Sequence, residues 1–228
     1  MPFFNSRFSK ANFLKPRGVG GLSPLVVFWP IGQSNTFEYG LAGQPTYPAV
    51  FGSPPPTRTT GGGAYTANAH YATTAPFPYL GPEFTIDLWA NSEFTSARPE
   101  TGLVSRYGST PGSIGWALTV HATDGISFLV SSDGTLANSV RISGGAFPTS
   151  PWKKITARFR AGQDISLHMN NNLIASSTLP PSFSLHDASS STPVRVSSWK
   201  DDTTGANRFE AYIADVRIFR TYKELSEL

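Results

Sequence analysis

Ala211-Tyr212-Ile213-Ala214-Asp215-Val216-Arg217-Ile218-Phe219 alternates along its whole length. Tyr212, Ala214, Val216 and Ile218 point one way; Ile213, Asp215, Arg217 and Phe219 point the other. A period of two is the signature of a half-buried strand. A polar tail follows to Leu228, in which Tyr222–Glu227 offers one helical turn.

Working back from this stretch, further segments carry the same pattern. Strands are expected near Ala64–Thr66, His70–Thr73, Glu83–Ser92, Gly102–Tyr107, Gly115–His121, Ile126–Ser131 and Val140–Ser143. More follow at Lys154–Ala161, Asp164–Met169, Asn172–Thr178, Val194–Ser198 and Phe209–Phe219. Asp124-Gly125, Asp133-Gly134, Ala161-Gly162 and Asn170-Asn171-Asn172 punctuate them, and Gly and Asn tolerate the positive φ of tight turns. Many short strands with regular turns predict an all-β fold: a two-sheet antiparallel sandwich of jelly-roll type.

The first 57 residues differ. They hold Pro2, Pro16, Pro24, Pro30, Pro45, Pro48, Pro54, Pro55 and Pro56, and Phe3, Phe4, Phe8, Phe13, Phe28, Phe37 and Phe51. Proline removes backbone donors and interrupts ladders, while a merely disordered linker is poor in aromatics. Two readings follow: an extended N-terminal arm that buries its rings on another body, or a segment folded back over its own sandwich. Leu25 to Ile31 reads as one short strand. Pro54-Pro55-Pro56 and Gly61-Gly62-Gly63 mark the boundary, giving an arm over 1–57 and a sandwich over 58–228.

Charge sharpens that division. The net charge is +3. The first acid is Glu38, so Arg7, Lys10, Lys15 and Arg17 stand unopposed, and the remainder is close to neutral. Only 14% of residues are charged, well under the usual quarter, which leaves Ser, Thr, Asn and Gly to face water. There are no cysteines, so disulfides and thiolate metal sites are excluded. No apolar run is long enough to span a bilayer, and Met1 to Lys15 lacks a continuous apolar stretch. No membrane association is expected. Nucleic acid is not an expected partner either: the sandwich is near neutral, and Gly61–Gly63 is followed by no Gly-Lys-Ser/Thr.

Five segments in register resemble the laminin-G-like, concanavalin-A-like jelly-roll family: EFTIDLWANSEF at 83–94, TGLVSRYG at 101–108, GWALTVHATDGISFLVSSDG at 115–134, SPWKKITARFRAGQDISLHMNNNLIASSTLP at 150–180 and YIADVRIFRTYKELSEL at 212–228. The resemblance covers residues 58–228 and implies that 83–94 carries an inward Trp. The family includes lectins, glycan-binding modules, adhesion domains, glycosidases and virion appendages, so the fold does not select the function.

The chemistry must therefore come from residues. Glycoside hydrolysis needs two carboxylates across one sugar. The Glu-x-Asp-x-x-Glu strand of jelly-roll glucanases has no counterpart here; Glu83 and Asp87 read as structural, and Asp201-Asp202 point oppositely. No Gly-x-Ser-x-Gly elbow accompanies His70, His121, His168 or His186. No catalytic residue is assigned, and an enzyme is not expected. The resemblance implies a rim calcium, for which the loop Trp199–Asn207 offers oxygens; Gly62, Gly63 and Ala64 stand where the family has an acid, so no cofactor or metal is assigned. For glycans, Trp199 with Asp201, Asp202 and Asn207 is the first constellation and Arg106 with Tyr107 the second. Trp89, Trp116 and Trp152 read as core.

These observations lead to one expectation and two alternatives. The expectation is a non-enzymatic bacteriophage virion protein, a capsid decoration, cement or fibre-like subunit. Phe3, Phe4, Phe8 and Phe13 would fill grooves on capsid or tail subunits, and Arg7, Lys10, Lys15 and Arg17 would pair with acids. It would work as a homo-oligomer in the assembly, its sandwich turned toward host-surface glycans. The first alternative is a carbohydrate-binding module or lectin-like adhesion protein; a glycoside hydrolase ranks last.

Overall fold

The computed structural model describes residues 77–91, 100–121, 124–146, 152–188, 192–198 and 212–228, with the backbone of five short strands before them. Those five are β1 (Leu25–Trp29), β2 (Ala49–Phe51), β3 (Thr57–Arg58), β4 (Ala64–Tyr65) and β5 (Tyr71–Thr73). Then come β6 (Glu83–Asn91), β7 (Glu100–Tyr107), β8 (Ile114–His121), β9 (Gly125–Ser131) and β10 (Ser139–Gly144). The chain ends with β11 (Lys153–Arg160), β12 (Asp164–Met169), β13 (Asn172–Thr178), β14 (Arg195–Val196), β15 (Tyr212–Phe219) and a 3-10 turn at Leu225–Glu227.

They form two antiparallel sheets. One runs β13-β12-β11-β6-β15-β4-β3, with β1 also paired to β15; the other runs β10-β9-β8-β7-β14-β5-β2. This is the jelly-roll sandwich expected from the alternation. The expected strand at Leu25–Ile31 is present as Leu25–Trp29, hydrogen-bonded along Val216–Phe219. Within the first 57 residues, β1 and β2 thus belong to the sheets. The residues expected to anchor the arm, Phe3, Phe4, Arg7, Phe8, Lys10, Phe13, Lys15 and Arg17, lie outside the described residues.

The core follows from period two. Phe84, Ile86, Leu88 and Ala90 of β6, beside Ile155, Ala157 and Phe159 of the neighbouring β11, pack with Trp116 and Leu118 of β8 and Phe128 and Val130 of β9 from the other sheet. Phe84 lies 5.3–6.1 Å from the rings of Trp116, Phe128 and Phe159. Burying each such side chain contributes roughly 1.5–3 kcal/mol, and offset or edge-on rings add a little more.

Three expectations are corrected. Trp89 is not inward: it shares parity with Thr85 and Asp87 and sits half-buried on the outer face, because Phe84, Ile86, Leu88 and Ala90 take the core side. Trp152 is likewise only half-buried, just ahead of β11; Trp116 alone of the three fills the core. The alternation of β15 is broken. Its pairing with β6 shifts between Ala214 and Arg217, and Asp215 adopts φ 50°. An extra residue at this bulge brings Ile213, Val216 and Ile218 onto one core face, whereas strict alternation would have divided them. Asp accepts the left-handed conformation more readily than a branched residue. Finally, β14 covers only Arg195–Val196, since Ser197 at φ 68° turns the chain out of the ladder and donates its N–H to Leu103 O.

Candidate functional site

Two polar regions stand out, on the outer face of the eight-stranded sheet and at one rim. On the outer face, strand parity lines up Thr85 and Asp87 from β6, Lys154, Thr156 and Arg158 from β11, Ser166 and His168 from β12, and Arg217 from β15. All are buried. Asp87 accepts from Thr156 Oγ1 at 2.7 Å and from Arg217 Nη2, and Lys154 Nζ lies 3.8 Å away. Burial pulls the Lys154 ammonium below its usual pKa, with Asp87 opposing that shift.

Arg158 forms the second half of this network. Its Nε donates to Ser166 Oγ at 3.2 Å and its Nη2 to His168 Nε2 at 2.8 Å. A guanidinium has no acceptor, so Nε2 is the bare nitrogen and the His168 proton sits on Nδ1, which is buried with no partner. Burial, then the neighbouring Arg158 charge, lowers the His168 pKa to about 4. The C-terminal segment closes over this layer. Thr85 Oγ1 donates to Thr221 O and accepts from Lys223 N, both at 2.9 Å. Arg158 reaches Lys223 O at 3.3 Å, and the Tyr222 ring lies 4.4 Å from the Arg158 guanidinium and 4.2 Å from that of Arg160. This region is a structural clamp, with most of its donors and acceptors turned on one another.

The rim is different. A cleft of about 320 Å³ opens between two loops. Ser132, Asn138, Ser139 and Val140 line one wall; Pro180, Ser182 and Phe183 line the other. Among the described residues, no charged side chain lines it. The first wall is rigid because the loop 131–139 bonds to itself. Asp133 Oδ1 accepts from Thr135 N and Oγ1, both at 2.8 Å, and its Oδ2 from Asn138 Nδ2 at 2.5 Å. These bonds hold the Asp133 carboxyl below its usual pKa. Gly134, at φ +86°, donates to Ser131 Oγ at 3.0 Å, and its carbonyl accepts from Gly112 N and Ile114 N. A Cβ here would collide with Gly112 and His186, so glycine alone fits. The second wall is pinned by Phe183 N to Pro180 O at 2.8 Å, Gly162 N to Phe183 O at 2.9 Å and Leu179 N to Gln163 O at 2.9 Å.

Of the residues expected to bind glycans, only Arg106 and Tyr107 are described. Trp199, Asp201, Asp202 and Asn207 lie outside the described residues, as does the loop expected to offer calcium its oxygens. Among the described residues, no three His, Asp or Glu side chains group to hold a metal ion. Arg106 and Tyr107 are neighbours on β7 but not partners in a surface site. Arg106 is buried and committed: Nη1 donates to Asp187 Oδ1 at 3.0 Å and to Pro78 O at 3.4 Å, Nη2 to Ala188 O at 2.7 Å. Tyr107 packs with Ile114, Ala117 and Leu129, and burial followed by the Glu100 charge raises its hydroxyl pKa. The histidines are also engaged: His121 Nδ1 lies 3.6 Å from Asp124, and His186 Nε2 lies 2.9 Å from Gly112 O. The cleft residues were not singled out from sequence; their one signal was the polar run Ser131–Ser139, which reads simply as a turn.

With this geometry in place, the chain can be set beside known proteins. It belongs to the concanavalin A-like lectin/glucanases superfamily, whose laminin G type model matches residues 60–227. No curated protein matches it in sequence. Among solved structures, it is similar to a botulinum neurotoxin type C structure concerned with interaction with two ganglioside molecules, at 14% identity over 95% of this chain and 50% of that one, TM-score 0.63. The binding domain of botulinum neurotoxin serotype D/C is similar at 12% identity over 88% and 50%, TM-score 0.61. The binding domain of botulinum neurotoxin DC in complex with SialylT matches at 12% identity over 79% and 45%, TM-score 0.58. The chain thus spans about half the length of these structures, and at such identities the likeness is one of fold.

Proposed function

We propose that the chain is a non-catalytic carbohydrate-binding module. The observation that carries this reading is the rim cleft: hydroxyls and an amide on two hydrogen-bonded walls, set beside apolar Val140, Pro180 and Phe183. Fixed polar groups around an apolar floor suit a small ligand with alternating O–H and C–H surfaces. Membership of a superfamily that includes lectins supports it. The non-catalytic part rests on the carboxylates. Asp87 is sealed against Arg217, Glu100 pairs with Arg141 at 2.9 Å, Asp164 with Arg160 at 2.7 Å and Asp187 with Arg106. None of these faces a second acid across a cleft as glycoside hydrolysis requires. The test is retention of the full chain on immobilised glycans, with Ser182→Trp filling the cleft. Retention that Ser182→Trp abolishes at unchanged Tm supports the reading; a chain that retains no glycan overturns it.

A second reading, a virion component attached to capsid or tail subunits as a homo-oligomer, draws its support from the Phe-rich basic leader. Deleting residues 1–20 is expected to abolish co-sedimentation with particles and leave the sandwich folded. Equal co-sedimentation of both forms would remove that support.

A further inference from the structure

We infer that the rim cleft discriminates by charge: it takes uncharged, polyhydroxylated glycans and rejects carboxylated or sulfated ones. This rests on the glycan-binding reading and narrows it to a ligand class.

The hydrogens of the lining groups decide which ligands fit. Ser132 Oγ spends its only hydrogen on Asn138 O at 3.0 Å, and Ser139 Oγ spends its own on Leu136 O at 2.8 Å. Each hydroxyl then has lone pairs alone for a ligand. Asn138 commits one amide hydrogen to Asp133, leaving its Oδ1 and one N–H. Ser182 is exposed and its hydroxyl is free to turn. The cleft therefore offers more acceptors than donors. Sugar hydroxyls satisfy such acceptors by donating to them. A carboxylate or sulfate brings only acceptors, so the Ser132 and Ser139 oxygens would lose water without gaining a partner.

Charge acts in the same direction. The nearest ionisable group on the first wall is Asp133, kept ionised by its three hydrogen bonds. Arg141, next in sequence to the lining Val140, pairs with Glu100 at 2.9 Å. His186 is turned to Gly112 O. Among the described residues, no cation is left to receive an anion on either wall. Phe183 is only 8% exposed, so no aromatic ring is offered for stacking.

The experiment uses the full chain on an array of neutral oligosaccharides, each paired with its sialylated and sulfated counterpart. Hits are titrated against the wild type, Ser182→Trp and Ser182→Arg. The expected result is binding of neutral members, with anionic counterparts at least about tenfold weaker, the scale of one or two unsatisfied polar groups. Ser182→Trp should remove neutral binding, and Ser182→Arg should narrow the gap by adding the missing cation. Anionic members bound as tightly as neutral ones, in a Ser182-dependent way, overturn the charge rule and leave the glycan-binding reading standing. Neutral binding indifferent to both variants overturns the cleft as the site. No binding to any member overturns both.

Discussion

The outer face of the eight-stranded sheet and the rim cleft are both polar, yet they are built on opposite terms. The face carries Asp87, Lys154, Arg158, His168 and Arg217, all buried, and spends most of their hydrogen-bonding capacity internally or on the C-terminal segment. The cleft carries no charge among its described residues and leaves hydroxyl lone pairs for a ligand. A buried charge must be answered within the fold, because its desolvation is costly. A solvated hydroxyl or amide can wait for a ligand. Density of charge therefore marks where this sandwich is held together, and sparse neutral polarity marks where we propose that it binds.

That contrast predicts where substitution hurts most. Asp87→Ala leaves Arg217 and Lys154 buried without their carboxylate, and should cost about 3–5 kcal/mol in chemical denaturation. A loss under about 1 kcal/mol would mean that the clamp does not hold the face, and the comparison would fail on its first side.

His168 gives the next effect. It is buried and neutral in the folded state, with a pKa of about 4, against about 6.5 in an unfolded chain. Unfolded molecules take up the proton first as pH falls. Stability is therefore full above about pH 6.5, declines as pH drops toward 4 and levels off below it. The drop is up to about 3 kcal/mol, read as Tm against pH. His168→Gln, which keeps an acceptor for Arg158, should flatten that part of the curve. An unchanged slope in the variant would assign it to other groups.

How much of this was legible in the sequence depends on length and regularity. Asp164–Met169 and Asn172–Thr178 were bounded correctly because six or seven alternating residues flank an Asn turn, and Asn170 and Asn171 do adopt positive φ, 50° and 66°. Ala49–Phe51 and Thr57–Arg58 were missed, since two or three residues carry no period and prolines surround them. The Asp215 bulge was invisible to a strict alternation. The site was harder still. Arg106-Tyr107 has the composition of a sugar platform, but neighbours on a strand diverge, and here both are buried. The cleft joins serines from distant segments, and serine on a surface is too common to signal anything until folding sets two such walls together.

The smaller effects sharpen the contrast. Tyr222→Ala removes a ring lying 4.4 and 4.2 Å from two guanidinium groups. It should cost about 1–2 kcal/mol, while Tyr222→Phe, which keeps the ring, should cost little. Ser182→Ala stands at the far end. Its hydroxyl is exposed, so its removal leaves nothing unsatisfied within the protein, and stability should stay within about 0.5 kcal/mol of the wild type. Affinity for a neutral glycan should nonetheless fall about two- to tenfold, one hydrogen bond's worth. A residue that costs binding but not folding has its partner outside the chain. If Ser182→Ala instead lowered Tm as far as Tyr222→Ala does, the rim would be one more structural contact, and the distinction between the two regions would be lost.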